Sequence, residues 1–326
     1  MAGGITTAEL VAGVSNAGAL GTIGAGYMDD IKLKKEIQKV KQLTEKPFAV
    51  NIFALNLESF SSDVQVMQNH LNKYRKVLGI NPGKEVIRIH DYMEEKIHVI
   101  IEEDVPIVST AFHVLPSSLM ERLKKPERKL IGMATTLEEA KMLEAAGYDM
   151  IVAQGYEAGG HRGTFDIEKH PNGADITLIP LLQSLVSHIN LPIIAAGGIN
   201  TKEQVNGLLE MGASGVQLGT KFLLAKEAGT NKSYRQALLK AGITDTVITK
   251  AFSGRPARGI HNQFIEQMEK ANIHTNPFPI QNELTKDIRA AGAKIGNTAL
   301  QSLWAGQGVG ELKKETTVEE IIYSLI

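Results

Sequence analysis

The sequence contains no cysteine, which excludes disulfides, thiolate nucleophiles and cysteine-ligated metals. It also lacks an HExxH pair and any dense carboxylate cluster, so a metal site has no support. No apolar run approaches the roughly 20 residues that a membrane-spanning helix needs. The opening residues, Met1–Ile5, lack the basic head and long apolar body of a secretory signal. Together these absences predict a cytoplasmic protein with neither a metal nor a membrane partner.

Neither sign of charge is in excess, since 35 Lys and Arg residues face 36 Asp and Glu residues, a formal net charge of −1. Without a long basic run, nucleic acid is not expected as the main partner. Hydrophobic residues make up 43% of the 326 residues and charged residues 22%, which is typical of a packed core. The length suits one large α/β barrel or two ordinary domains.

Strand-like and helix-like segments alternate from Thr6 onward, which favours a parallel sheet covered by helices. The predicted strands are Ala19–Ile23, Phe48–Ile52, Val86–Ile89, Pro106–Ser109, Lys129–Met133, Met150–Gln154, Pro192–Ala195 and Gly215–Leu218. Glycine-rich loops follow the strands at Gln154, Ala195 and Leu218. This arrangement predicts a (β/α)8 barrel, in which the chemistry lies on loops at the carboxyl ends of the strands.

The expected barrel lacks its opening strand. The chain starts with a loop-like segment, Met1–Gly4, directly before the first predicted helix. A barrel without that strand would expose two unpaired edges. We therefore expect one further strand, typically ~5–6 residues, upstream of this sequence.

A glycine-rich turn, Gln154–Gly163, follows the apolar run that ends at Gln154 and contains a histidine. Glycine lets the backbone approach a ligand closely, and His161 can exchange protons near neutral pH. A lone loop histidine is usually solvated, but flanking glycines at a strand end favour a ligand-facing role. The neighbouring Arg162 would lower the pKa of His161. Glu157 either orients the loop or is solvated.

Two further glycine motifs lie at what we count as the last two strand ends, Ala195–Ile199 and Gln217–Thr220. Barrels often bind a phosphate at this place through backbone N–H groups. The alternative is that these glycines only form tight turns. Two such motifs in successive units favour a cofactor that carries a phosphate.

Three other features allow two interpretations each. The segment Lys250–Gly259 carries Arg255 and Arg258, which either bind an anionic group or belong to a surface turn. His113 is a second proton-active candidate, although a core or surface role is the better interpretation. Trp304 either closes the barrel mouth as an aromatic wall or anchors the C-terminal helices.

These residues together resemble the nitronate monooxygenase family, formerly called 2-nitropropane dioxygenases, over nearly the whole chain. The matching stretches are Met1–Thr7, Val14–Gly18, Gly21–Gly26, Asn51, Gln154–Gly163, Ala195–Ile199, Gln217–Thr220, Ala251–Arg258 and Trp304–Gln307.

The resemblance implies an FMN enzyme: a flavin-binding TIM barrel over residues 1–224, an inserted, mainly helical segment over 225–300 and a C-terminal helical segment over 301–326. It implies that His161 is the catalytic residue. The implied cofactor-binding residues are Asn51, Gln154, Gly159, Gly198, Gln217, Leu218, Gly219 and Thr220. The implied reaction is oxidation of an alkyl nitronate, such as propionate-3-nitronate, by O2 to a carbonyl compound and nitrite. Whether the chain forms a homodimer is left open.

Two other functions remain under consideration. An FMN-dependent enoyl-acyl-carrier-protein reductase, which uses NAD(P)H, resembles the same family and shares the turn Glu157–His161. Arg162 and the opening Ala2–Thr7 favour the monooxygenase. A non-catalytic flavin-binding barrel is the third possibility, because fold alone does not determine function.

Overall fold

The computed structural model describes residues 2–326 and shows a curled sheet of seven parallel strands with covering helices. The strands of the described chain are β1 (Gly21–Gly24), β2 (Phe48–Phe53), β3 (Ser59–Ser61), β4 (Ile87–Ile89), β5 (Ile107–Ala111), β6 (Lys129–Ala134), β7 (Met150–Gln154), β8 (Gly160–His161), β9 (Ile193–Ala196), β10 (Gly215–Gln217), β11 (Thr246–Thr249) and β12 (Ala257–Ile260). The order in the parallel sheet is β1-β2-β5-β6-β7-β9-β10. The predicted TIM-barrel class is confirmed.

Helices connect and cover these strands. They are α1 (Ala8–Asn16), α2 (Asp30–Leu43), α3 (Gln65–Leu78), α4 (Met93–Glu102), α5 (Ser117–Leu123), α6 (Leu137–Ala146), α7 (Leu178–His188), α8 (Lys202–Glu210), α9 (Lys232–Lys240), α10 (Gln263–Lys270), α11 (Ile280–Lys294) and α12 (Val318–Tyr323). Short 3-10 segments occupy Thr220–Leu224, Thr298–Leu300 and Gln307–Glu311. No helix within residues 2–326 is both long and apolar enough to cross a membrane.

Local sequence explains where several elements begin. The side chain of Thr136 accepts a hydrogen bond from Glu139 N–H, and the Glu139 carboxylate accepts one from Thr136 N–H, a capping box that starts α6. Thr201 starts α8 in the same way with Gln204. The strands are short, mainly apolar runs, and residues that face the covering helices, such as Val108, are fully buried.

The register of the sheet aligns the strand ends that carry the glycine motifs. Gln154 at the end of β7 lies beside Ala196 of β9, and Ala196 lies beside Gln217 of β10. On the other side, Asn51 of β2 lies beside Ser109 of β5. The predicted site residues are therefore brought to one end of the barrel.

The edges of the seven-stranded sheet are β1 and β10. The expectation of a further strand upstream stays a prediction, and Met1, with which the predicted opening loop and the family match begin, lies outside the described residues.

Residues 225–300 contain helices and also an antiparallel sheet that the sequence did not predict. β11 pairs with β12, and β12 pairs with the two-residue strand β8, so that Ala257 lies opposite His161. We propose the three-part division 1–224, 225–300 and 301–326 as the domain organisation. A second apolar core outside the barrel unites α3, α10 and α11 with Phe252.

Candidate active site

A cavity of about 560 Å³ opens at the carboxyl ends of the strands, within the ~300–1,000 Å³ typical of ligand pockets. No Lys, Arg, Asp or Glu side chain within residues 2–326 lines it. The residues that the family resemblance implies as catalytic or cofactor-binding all line it, and the structure therefore brings them together: Asn51, Gln154, Gly159, His161, Gly198, Gln217, Leu218, Gly219 and Thr220.

Gln154 fixes the shape of the glycine-rich turn. Its side-chain Nε2 donates to the carbonyl oxygen of His161 at 3.0 Å, and its Oε1 accepts from Gly163 N–H at 2.8 Å. Within the turn, a Cβ on Gly159 would lie 2.4 Å from the backbone nitrogen of Gly306. Only glycine fits there, because the turn packs directly against the segment Trp304–Gly308.

His161 lies on the cavity wall with one ring nitrogen engaged. Its Nε2 lies 2.8 Å from Ser253 Oγ, while Nδ1 has no hydrogen-bond partner within residues 2–326. The imidazole is surrounded by the rings of Trp304 at 5.5 Å, Phe278 at 5.9 Å and Phe112 at 6.0 Å. The side chain therefore presents one free nitrogen in an aromatic surrounding.

Burial, together with the positive charges of Arg255 and Arg289, lowers the pKa of His161 to about 3. The imidazole is consequently neutral at pH 7. The sequence assigned the lowering to Arg162, but the charges that act are those of Arg255 and Arg289. Arg162 is fully buried and donates to backbone carbonyls, including that of Gly155 at 2.6 Å.

Three arginines lie buried behind the cavity wall without a carboxylate partner. Arg162, Arg255 and Arg258 are at most 3% exposed. Within residues 2–326, the arginines that form salt bridges are Arg75, Arg122, Arg128 and Arg235.

Backbone oxygens satisfy part of each of these guanidinium groups. Arg255 donates to the carbonyl of Thr164, and Arg258 donates to that of Tyr156 at 3.0 Å. Burial lowers the pKa of Arg255 to about 10, so this group stays charged at pH 7. Because Arg255 and Arg258 are buried, the surface-turn interpretation of Lys250–Gly259 is wrong. Neither arginine lines the cavity, so direct binding of an anion by them is not supported either.

The glycine motifs after β9 and β10 leave hydrogen-bond donors free. Neither Gly198 N–H nor Gly219 N–H has an acceptor within residues 2–326. Gly198 adopts a φ of +70°, a conformation that favours glycine. The hydroxyl of Thr220 accepts from Gly306 N–H at 3.0 Å, which leaves its own proton available. Free amides without a Cβ, beside a hydroxyl donor, fit a phosphate group.

Asn51 of β2 also lines the cavity. Its Nδ2 donates to Ser109 Oγ at 2.9 Å, which fixes the orientation of the amide. No group of three or more His, Asp or Glu residues in the described part of the chain is arranged to hold a metal ion.

The structure separates two residues on which the sequence allowed alternatives. His113 is exposed and stacks on Phe165 at 5.0 Å, and it does not line the cavity. Trp304 does line the cavity, and its carbonyl accepts a hydrogen bond from Tyr234 at 2.5 Å. The aromatic-wall interpretation of Trp304 is therefore the one that the structure supports.

Sequence reasoning missed Ser253 and Phe112. Ser253 reaches His161 because β12, which follows it, pairs with β8, and no periodic pattern announces this pairing. Phe112 directly follows β5 and adopts a φ of +83°, which is rare for an aromatic residue. The only available signal was an aromatic residue three positions after the predicted strand end at Ser109.

The whole chain, residues 1–326, matches the family model described as nitronate monooxygenase. A probable nitronate monooxygenase of Staphylococcus aureus is 45% identical over 309 residues, which is 93% of this chain and 86% of the relative. One of Staphylococcus haemolyticus is 41% identical over 305 residues, 93% of this chain and 85% of the relative.

Among solved structures, the nitroalkane oxidase of Streptomyces ansochromogenes superposes with a TM-score of 0.92 at 34% identity, covering 100% of this chain and 92% of the other. FabK of Thermotoga maritima superposes with a TM-score of 0.77 at 28% identity, covering 99% and 89%. The chain belongs to the nitronate monooxygenase family and is a flavin-dependent oxidoreductase.

Proposed function

We propose that this protein is an FMN-dependent nitronate monooxygenase, which oxidises alkyl nitronates with O2 to carbonyl compounds and nitrite. The observation that carries the proposal is a neutral histidine that faces a cavity backed by buried arginines without carboxylate partners. Such an arrangement makes the local potential positive, which favours an anionic substrate. A nitronate is an anion, whereas an enoyl thioester and a nitroalkane are neutral at the reacting group.

The low pKa of His161 also separates nitronates from nitroalkanes. A general base works best when its pKa lies near the operating pH. With a pKa of about 3, His161 is a poor base for a carbon-bound proton. The substrate should therefore enter already deprotonated, with His161 as a hydrogen-bond partner of the nitro group.

Ser253 determines which proton His161 presents. The single hydroxyl proton of Ser253 has two acceptors within reach, His161 Nε2 at 2.8 Å and the Arg255 carbonyl oxygen at 3.1 Å. When Ser253 donates to Nε2, the neutral imidazole carries its proton on Nδ1, which then donates to a nitronate oxygen. When Ser253 donates to Arg255, Nδ1 is unprotonated, the form that a neutral nitroalkane would require.

The residues present fit FMN as the flavin. The free amides of Gly198 and Gly219 and the Thr220 hydroxyl would hold its phosphate, and Asn51 and Gln154 would contact the rest of the cofactor. The bound flavin supplies the electron transfer between nitronate and O2. The protein contributes position, a hydrogen bond from His161 and a surrounding that excludes water.

The enoyl-acyl-carrier-protein reductase is the second candidate, because FabK of Thermotoga maritima superposes over 99% of this chain. Mixing flavin-loaded protein with NADH without oxygen separates the two. Slow or absent bleaching supports the monooxygenase, and rapid bleaching supports the reductase.

The deciding experiment identifies the bound flavin and measures nitronate-dependent oxygen uptake beside NADH oxidation. We expect FMN, nitrite release and oxygen consumption with alkyl nitronates. His161→Asn should lower turnover while flavin absorbance is retained. Unchanged turnover in His161→Asn would refute the catalytic role of His161, and no turnover by the native enzyme would favour a non-catalytic flavin barrel.

A further inference from the structure

We infer that Phe112 acts as a specificity-determining residue, which restricts this enzyme to nitronates with an uncharged chain by covering the guanidinium of Arg255. The inference rests on the proposed nitronate activity and adds the class of substrate. The enzyme should discriminate between two small nitronates of similar shape, propyl-1-nitronate and propionate-3-nitronate. The first ends in a methyl group where the second ends in a carboxylate.

Arg255 is a buried cation whose charge is only partly satisfied. It is 3% exposed, donates to the carbonyl of Thr164 and has no hydrogen-bond partner at Nε. Its charge reaches the site, because it lowers the pKa of His161. A cation of this kind would bind a second carboxylate of a substrate if that carboxylate could approach it.

Phe112 prevents the approach. The Arg255 guanidinium carbon lies 4.1 Å from the centroid of the Phe112 ring. Phe112 lines the cavity and Arg255 does not. The phenyl ring therefore separates the guanidinium from the cavity and presents an apolar face beside His161.

The backbone of Phe112 adopts a conformation that a phenylalanine rarely adopts, so the surrounding structure must stabilise it. Its φ of +83° lies in the left-handed region, which side-chain-bearing residues rarely adopt and which concentrates at functional sites. The ring is fixed further by Phe53, whose ring centroid is 4.6 Å away, and by Phe278 at 6.0 Å.

A substrate carboxylate thus meets aromatic rings. No Lys or Arg side chain of residues 2–326 lines the cavity to pair with it. An unpaired charge in an apolar surrounding is strongly disfavoured. The single charge of an alkyl nitronate, in contrast, sits at the free nitrogen of His161. The structure therefore assigns the enzyme to monoanionic nitronates with an apolar chain.

The test compares kcat/KM for propyl-1-nitronate and propionate-3-nitronate in the flavin-loaded native enzyme. We expect a preference for propyl-1-nitronate of roughly tenfold or more, the range in which one unpaired charge acts. Equal rates or a preference for propionate-3-nitronate would overturn the inference. Failure to oxidise either compound would instead refute the proposed function.

Phe112→Ala should uncover Arg255 and shift the specificity ratio toward propionate-3-nitronate by about tenfold. Phe112→Leu is the matched control, because it keeps an apolar cover and should retain the native ratio. If Phe112→Ala does not fold or hold flavin, Phe112→Gly removes the ring and also accepts the positive φ. A variant that loses the ring, binds flavin and keeps the native ratio would contradict the role of Phe112.

Discussion

The close packing of Gly159 against the segment Trp304–Gly308 leads to a quantitative prediction for Gly159→Ala. The added Cβ would lie 2.4 Å from Gly306 N and 2.6 Å from Ala305 C. Ordinary contacts between non-bonded atoms are ~3.5–4.0 Å, so the segment would have to move by about 1 Å. Overpacking of this kind typically costs ~1–3 kcal/mol.

The cost should appear in flavin binding, because the displaced segment carries Trp304 and Gly306 on the cavity wall and Gly306 N–H donates to Thr220. We expect the Kd for FMN, the proposed cofactor, to rise on the order of tenfold when it is measured by quenching of flavin fluorescence. The matched control is Gly207→Ala in α8, where nothing lies within 4 Å of the new Cβ. It should leave the Kd unchanged and stabilise the fold by ~0.5–1 kcal/mol. Native-like FMN affinity in Gly159→Ala would refute the argument.

Three further predictions concern charge and hydrogen bonding. The pKa of His161 is about 3 in the folded protein and lies below its unfolded value, so the stability that this group contributes above pH ~6.5 is lost as the pH falls. His161→Asn should therefore reduce the difference in unfolding free energy between pH 7.5 and pH 5.0, measured by urea unfolding. An unchanged difference would contradict this prediction. Across pH 5–8, kcat/KM for a nitronate should show no inflection from His161, and an inflection near 6.5 that His161→Asn removes would refute the low pKa. The Glu139 carboxylate accepts hydrogen bonds from Thr135 N–H at 2.6 Å and from Phe165 N–H at 2.7 Å. Glu139→Ala should therefore lower the free energy of unfolding, measured by thermal unfolding, by at least ~2 kcal/mol. Glu138→Ala, on the same first turn, should lower it much less.

The sequence predicted the barrel well because its signals are local. Short apolar runs placed the seven parallel strands within two residues of their observed bounds, and β7 was predicted at its observed bounds, Met150–Gln154. The remaining predicted strand, Val86–Ile89, corresponds to β4, which lies outside the parallel sheet and pairs antiparallel with β3. Helix caps such as Thr136 and Thr201 act within four residues. The carboxyl-end rule then brought the glycine motifs to one mouth, where the structure also has them.

What only the tertiary structure decided depends on contacts between distant segments. The pairing of β8 with β12 joins His161 to Ser253, which lies 92 positions along the chain. The direction of each arginine was equally beyond the sequence, since Arg162 turns into the protein while Arg255 acts on the histidine. Periodicity and composition indicate which face of a helix or strand a residue occupies. A pairing between distant strands and the direction of a guanidinium group depend instead on all the segments that pack around them. The sequence therefore named residues that line one cavity, whereas the partner Ser253, the electrostatics of His161 and the cover by Phe112 came from the fold alone.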